Sequence, residues 1–301
     1  MLKIGSLCSG YGGLDMAVEA YFNAETVWMC DNDKYASVVI KERWNLPNLG
    51  DLKAVDWSTV EPIDILTAGY PCQPFSHAGQ RKGDNDERHI WPYILEGISI
   101  LRPRQVVLEN VRGHLSLGLA EVLKGLAKNG YDAKWHVIRA ADVGAPHQRA
   151  RIFLVAHADS NAREESQRTH SSISGQTTAI INRPDWHEHG CGCAISDTNN
   201  KHKSYDRAMP KLGRRFTPRC QMPLQEAPDA LVGDKLNAEF VEYMMGLPKG
   251  WVTNLGLSNA QVMKILGNGV VPQQAYYALQ LLCDTPIVER EQQMNLTEAL
   301  C

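Results

Sequence analysis

The stretch LKIGSLCSGYGGLDMAVEAYF, residues 2–22, decides the fold. Its first six residues are an apolar run of strand length. Leu14, Ala17, Val18 and Tyr21 then recur at helical spacing. Between the two lie Gly10, Gly12 and Gly13. A strand that passes through a glycine turn into a helix is the opening half of a parallel β-α-β unit. Missing Cβ atoms let a ligand approach such a turn, and the helix N-terminus adds a positive end. A plain structural turn would carry the same letters.

The pattern continues outward from this unit. ETVWMC (25–30), IDILTAG (63–69), QVVLEN (105–110), AKWHVIRA (133–140) and RIFLVAH (151–157) read as strands. KYASVVIKERW (34–44), HIWPYILEGISILR (89–102) and LAEVLKGLAKNG (119–130) read as helices. Pro92 fits only in a first turn, and Gly130 closes the third of these. Strands alternating with such helices imply an α/β fold, a mostly parallel sheet covered on both faces. After His157 the pattern breaks. From 159 to about 235 the chain is rich in Ser, Thr, Asn, Gly and Pro, too long for an ordinary loop. It reads as an irregular second domain or as partly disordered. Order returns at KLNAEFVEYMMGLP (235–248) and at NAQVMKILGNGVVPQQAYYALQLLC (259–283), and the tail from Pro286 reads as a frayed end.

Composition bounds the function. With 301 residues the chain is long enough for about two domains and a proper core. A hydrophobic share of 44% and a charged share of 22% fit a soluble globular protein. The N-terminus carries one lysine and no long apolar run, so no secretory signal is expected, and no stretch approaches a membrane span. Eight scattered cysteines suit free thiols in a reducing, cytoplasmic setting. A net charge of −3 excludes a globally basic protein, so any nucleic-acid binding must use a local face.

The candidate chemistry falls at successive strand ends. Asp31 closes the second strand 18 residues after Gly13, where nucleotide-type folds bind ribose hydroxyls. Asp51 precedes the third strand. Cys72 follows that strand between Pro71 and Gln73, and Glu109 follows the apolar run of the fourth. In a parallel sheet these ends line one crevice. A free thiol is only a few per cent thiolate at neutral pH and needs positive charge nearby. Arg149 and Arg151 alternate into a strand and so point the same way. Each part alone has an ordinary reading: a buried thiol, a strand-end acid, two surface arginines. Their joint occurrence argues against it.

LCSGYGGLD, AGYPCQPFSHAGQRKG, LENVRG, PHQRARIFLVA and LGNGVVPQQA occur in this order. Together they resemble the cytosine-C5 DNA methyltransferases, and FVEYMMGLPKGW (240–251) is similar to the end of phage or prophage members. The resemblance implies a Rossmann-like, S-adenosylmethionine-dependent methyltransferase sheet with a smaller irregular target-recognition domain. It places the catalytic domain at 1–158 and 258–301 and target recognition at 159–257. S-adenosylmethionine would be held by Ser9, Gly10, Tyr11, Gly12, Gly13, Asp31, Asn32, Asp51, Leu52, Asn268 and Val270. Cys72 matches the nucleophile and Glu109 the acid. Arg149 and Arg151 match the arginines that hold the base and support the cysteine. Gln73, Ser76 and the loop to Arg88 match the segment that closes over a base flipped from duplex DNA. Three departures stand out: Cys8 where many relatives have Phe, His147 where many have Gln, and Asp31 where Glu is commoner. None removes a group the chemistry requires.

The segment HKSYDRAMPKLGRRFTPR (202–219) is the densest basic stretch, with Arg214, Arg215 and Arg219 as candidate DNA contacts. HEHGCGC sets His187, His189, Cys191 and Cys193 at alternate positions. All four are zinc-type ligands, but the alternation is too tight for usual finger spacing, so no metal is expected. The expected partner is double-stranded DNA, with the chain a monomer and a restriction endonuclease as possible counterpart. The rival readings are a tRNA cytosine-C5 methyltransferase and a decayed DNA-binding module without catalysis.

Overall fold

The computed structural model describes residues 1–71, 90–158 and 227–284. Strand β1 (Leu2–Leu7) leads into helix α1 (Gly13–Phe22), then β2 (Ala24–Cys30) and α2 (Lys34–Val39). Next come β3 (Ile65–Gly69), α3 (Trp91–Leu101), β4 (Gln105–Val111), α4 (His114–Leu117), α5 (Leu119–Lys128), β5 (Tyr131–Ile138) and β6 (Arg151–Ala158). A two-stranded hairpin of β7 (Leu231–Val232) and β8 (Lys235–Leu236) precedes α6 (Ala238–Met244), α7 (Asn259–Asn268) and α8 (Pro272–Asp284).

The main sheet has six strands in the order β2-β1-β3-β4-β6-β5. The pairs β1–β2, β1–β3 and β3–β4 are parallel; β4–β6 and β5–β6 are antiparallel. The mostly parallel sheet read from the sequence is therefore present, with a reversed strand near one edge. Residues 139–150 between β5 and β6 hold one short 3₁₀ turn, Ala140–Val143, and no crossover helix, so the chain must double back.

Strand alternation sorts the core into layers. Leu66, Ala68, Val106, Leu108, Ile152 and Leu154 face α3 and α5, against Trp91, Ile94, Ile98, Val122 and Leu126. Ile65, Val107, Phe153 and Val155 face the other way, against Leu14, Ala17 and Val18 of α1 and Ala275, Ala278 and Leu279 of α8. A third cluster joins Tyr11, Met16, Met29 and Trp44 to Ala238, Met245, Leu247, Val252 and Leu266, so the chain from 238 onward packs on the β1–α1–β2 unit.

Two elements differ from the sequence reading. The expected 34–44 helix is α-helical only to Val39, and Ile40–Trp44 continues as a π-helical turn closed by Asn45 N–H donating to Ile40 O at 3.0 Å. The wider turn brings the Trp44 indole N–H to the Tyr11 carbonyl at 3.2 Å. Strand β5 begins at Tyr131 rather than 133, because Tyr131 and Asp132 find register partners in Ala158 and His157.

Under the sheet, Asp15 in the first turn of α1 accepts from Ser6 Oγ on β1 at 2.9 Å and from Thr67 Oγ1 on β3 at 2.5 Å. All three residues are buried. Burial pushes the Asp15 carboxyl up to about 6 from 3.8, against the two hydroxyls that favour its ionised form. The raised value means the folded state binds the proton more tightly than the unfolded chain. This contribution is therefore greatest below about pH 4 and is lost as pH rises through about 6, to the extent of about 3 kcal/mol. Asp15→Asn should remove this part of the fall in Tm between pH 4 and pH 7. An unchanged slope in a thermal melt series would contradict it.

Candidate active site

Register brings the functional strand ends to one edge. Leu7 pairs with Cys30 and with Ala68, and Gly69 pairs with Glu109. The residues that follow, Cys8, Asp31, Tyr70 and Asn110, leave the sheet side by side at its C-terminal edge, where open parallel sheets bind ligands.

One half of this edge is the glycine turn. Gly10 adopts φ +56°, and no atom lies within 4 Å of the place a Cβ would occupy. That open space over a left-handed backbone is what close approach of a ligand needs. Asp31 accepts from Gly10 N–H at 2.8 Å and from Asp33 N–H at 2.9 Å, and burial raises its pKa. Ser9 Oγ donates to Ser6 O and accepts from Cys30 N–H, closing the turn onto β2. Tyr11, Gly12 and Gly13 are buried and shape the turn from behind. Asn32 is exposed beside Asp31. Asp51 is exposed and caps the 3₁₀ turn Leu52–Ala54 by accepting from Lys53 N–H at 3.1 Å; Leu52 is buried. The Cys30 thiol donates to the Gly50 carbonyl at 3.3 Å, which sets the Asp51 loop against the end of β2. Asn268 is exposed at the end of α7, and Val270 is buried with its carbonyl on Tyr11 Oη at 2.7 Å.

The other half centres on Glu109. Glu109 faces Phe153 across β4–β6, while Arg151 stands opposite Val111, so Glu109 and Arg151 are diagonal neighbours on one face. Arg151 Nε meets Glu109 Oε1 at 3.0 Å, with only 7% of the Glu109 side chain exposed. Burial pushes Glu109 up, and Arg151 and Arg149 pull it down; the balance leaves it at about 7, from 4.5. A carboxyl at that value holds a proton for much of the time at neutral pH and can still release it. Arg149 adopts φ +34°, and its Nη2 donates to the carbonyls of Gly267 at 2.8 Å and Gly269 at 2.5 Å. His147 bonds the Met244 carbonyl through Nε2 at 2.9 Å, in keeping with a hydrogen-bonding role at a position where Gln is common.

Several sequence-predicted residues lie outside the described residues: Cys72, Gln73, Ser76 and Arg88; Arg214, Arg215 and Arg219; and His187, His189, Cys191 and Cys193. On that side of the site Pro71, which is exposed, is the last one described. Among the described residues no group of His, Cys, Asp or Glu is arranged to hold a metal, and no helix is long and apolar enough to cross a membrane.

Residues 2–190 match the model of the C-5 cytosine-specific DNA methylase family. The chain belongs to this family. C-5 cytosine methylases use S-adenosylmethionine as methyl donor. Among curated relatives, Type II methyltransferase M.Bsp6I of Bacillus sp. (strain RFL6) is 36% identical over 163 residues, 52% of either chain. The chain thus spans about half the length of the curated relatives it matches. Among solved structures, the methyltransferase EhMeth of Entamoeba histolytica superposes with a TM-score of 0.62 at 18% identity, covering 94% of this chain and 98% of that one. A mutant DNMT2 of Spodoptera frugiperda superposes at 0.61 and 16% identity, over 94% and 100%. These two show the methylase fold.

The structure adds residues that the sequence reading passed over. Asn110, inside the ENV motif, donates from Nδ2 to the Tyr70 carbonyl at 3.1 Å and caps Val111 N–H. It thereby fixes the end of β3 two residues before Cys72. Tyr70 Oη meets His114 Nε2 at 2.9 Å, a buried contact between that strand end and α4. Gln274, wholly buried on α8, donates to Ile138 O and Arg149 O. Its signal was present in LGNGVVPQQA, a glutamine on the face of a helix that otherwise presents Ala275, Ala278 and Leu279.

Proposed function

We propose that this chain methylates C5 of cytosine within a short duplex DNA sequence, with S-adenosylmethionine as donor. The observation that carries the reading is Glu109: a buried carboxyl at about 7, in contact with Arg151, on the strand beside the one that leads to Cys72. Family membership and the names of its Type II relatives support the same chemistry and a place in restriction-modification.

The residue types follow from the substrate. Cytosine C6 is a poor electrophile and C5 a poor nucleophile. Glu109 gives its proton toward N3 and accepts from the exocyclic amine, which draws electrons from C6. Arg151 keeps Glu109 oriented and holds the base. The Cys72 thiolate adds to C6, and C5 becomes an enamine carbon. S-adenosylmethionine, when bound, supplies that carbon with an electrophilic methyl group. Loss of the C5 proton then returns electrons to the ring and expels the thiolate. The cofactor would lie over Gly10, with Asp31, Asn32 and Asp51 toward its ribose and base and Asn268 and Val270 closing the site. The open space at Gly10 and the carboxylate that braces its N–H fit a nucleoside with a charged tail. A base inside a duplex cannot reach this crevice, so the nucleotide must be extruded, with Gln73, Ser76 and Arg88 closing over it.

Target recognition is assigned to 159–257, and Arg214, Arg215 and Arg219 to its DNA contacts. The crevice is filled by a cofactor and one base, which leaves little of the sheet domain to read neighbouring pairs. Incubation with DNA and methyl-labelled S-adenosylmethionine should place the label in 5-methylcytosine at one short motif. Exchange of 159–235 for that of a relative should change the motif and leave the product. Label in N4-methylcytosine or in methyladenine would overturn the reading.

A further inference from the structure

We propose that Arg149 and Tyr11 act as a clasp on the 267–270 segment, which makes Arg149 a positioning residue for the cofactor rather than a contact to the base. The inference deepens the proposed function and rests on its assignment of the cofactor site.

The LGNGV segment, the end of α7 and the loop that follows it, is held from two sides at three carbonyls. Arg149 Nη2 donates to the carbonyls of Gly267 and Gly269, the two residues that flank Asn268. Tyr11 Oη donates to the next carbonyl, that of Val270, at 2.7 Å. A Cβ at Gly269 would overlap the Tyr11 ring, so the loop rests directly on that side chain. Tyr11 is itself fixed, wholly buried, with its carbonyl accepting from the indoles of Trp44 at 3.2 Å and Trp251 at 3.1 Å. Asn268 is left exposed at the centre of the clasped loop.

The backbone of Arg149 shows the same purpose. A non-glycine residue at φ +34° is strained and persists only when its surroundings impose it. Gln274 imposes it by donating to the Arg149 carbonyl at 2.9 Å while also gripping Ile138 at 2.8 Å. The guanidinium is thereby turned toward the loop. Its Nε is buried without a partner among the described residues, so the grip runs through Nη2. Arg151, two residues on and in regular strand, faces Glu109 instead. The paired arginines thus divide the work, one to each half of the crevice.

The test is calorimetry of S-adenosylmethionine binding to the whole chain without DNA, with DNA affinity measured separately without cofactor. Arg149→Lys keeps the charge but loses the planar fork, and it should weaken cofactor binding by about tenfold. Tyr11→Phe removes one hydroxyl and should weaken it by a few-fold; this variant carries the test if the lysine one does not fold. DNA affinity should stay within about twofold in both. Were Arg149 a base contact, the pattern would reverse: cofactor affinity kept, DNA affinity lost. Wild-type protein that binds no S-adenosylmethionine defeats the proposed function. Wild-type protein that binds it as tightly as both variants defeats only the clasp. Each variant is read only where its Tm lies above the assay temperature.

Discussion

Cys72→Ser is expected to abolish methyl transfer, by roughly 10³-fold or more, while leaving S-adenosylmethionine affinity within about twofold. The loss follows from acidity. A thiol near pKa ~8.5 offers some thiolate at neutral pH, and a serine hydroxyl offers almost none of its anion. Without addition at C6, C5 never becomes nucleophilic, and the remaining groups have no alternative route. The cofactor should be indifferent, because its assigned contacts lie at the turn after β1 and at 268–270. The other described thiols at that edge cannot substitute. Cys8 and Cys30 stand at the same sheet edge, but burial pushes both up, Cys30 to about 12. Steady-state kinetics and calorimetry read the two halves of this prediction. Loss of cofactor binding along with turnover would mean that the thiol belongs to the other half of the crevice.

Glu109→Gln is expected to cut kcat by about 10²–10⁴-fold. The amide can still accept and donate hydrogen bonds, but it carries no proton of useful acidity. The pH profile gives a second signature. In the free protein Glu109 sits at about 7, raised by burial, and its active form is the protonated one. Through this group kcat/KM should therefore fall as pH rises past about 7. Thiolate formation works in the other direction, so the wild type should give a bell. The Gln variant should keep the acidic limb and lose the alkaline one. An alkaline limb unchanged in the variant would assign it to a different group.

The fold was legible because local signals agreed with the global plan. Apolar runs of strand length, a glycine turn and helical spacing placed β1, α1 and β2 with small errors. The π-turn at Ile40–Trp44 was not legible, because it exists to seat Trp44 against the Tyr11 carbonyl, a partner 33 positions earlier in the chain. The reversal of β6 leaves its trace only in the short 139–150 connection. At the site, Glu109 and Asp31 could be placed from strand ends, since a parallel sheet carries its C-terminal ends to one edge, whereas Arg151, at the start of β6, reaches that edge only because β6 runs antiparallel to β4. The work of Arg149 could not. Alternation suggested that it points with Arg151, whereas a positive φ outside the strand turns it to the 267–270 loop. Tyr11, which the resemblance implies as a cofactor contact, is wholly buried, and its hydroxyl partner lies 259 residues away. Such roles depend on distant partners, and no local pattern encodes them.

The central claim is a covalent bond between Cys72 and cytosine C6. A duplex carrying 5-fluorocytosine at the target tests it most directly, because fluorine at C5 cannot leave as the proton does, and the adduct persists after methyl transfer. With S-adenosylmethionine present, mass spectrometry should find protein joined to DNA in equal proportion, and digestion should place the bond on the peptide that contains Cys72. Methyl transfer to ordinary DNA with no trapped adduct, or an adduct carried by Cys8 or Cys30, would contradict the account.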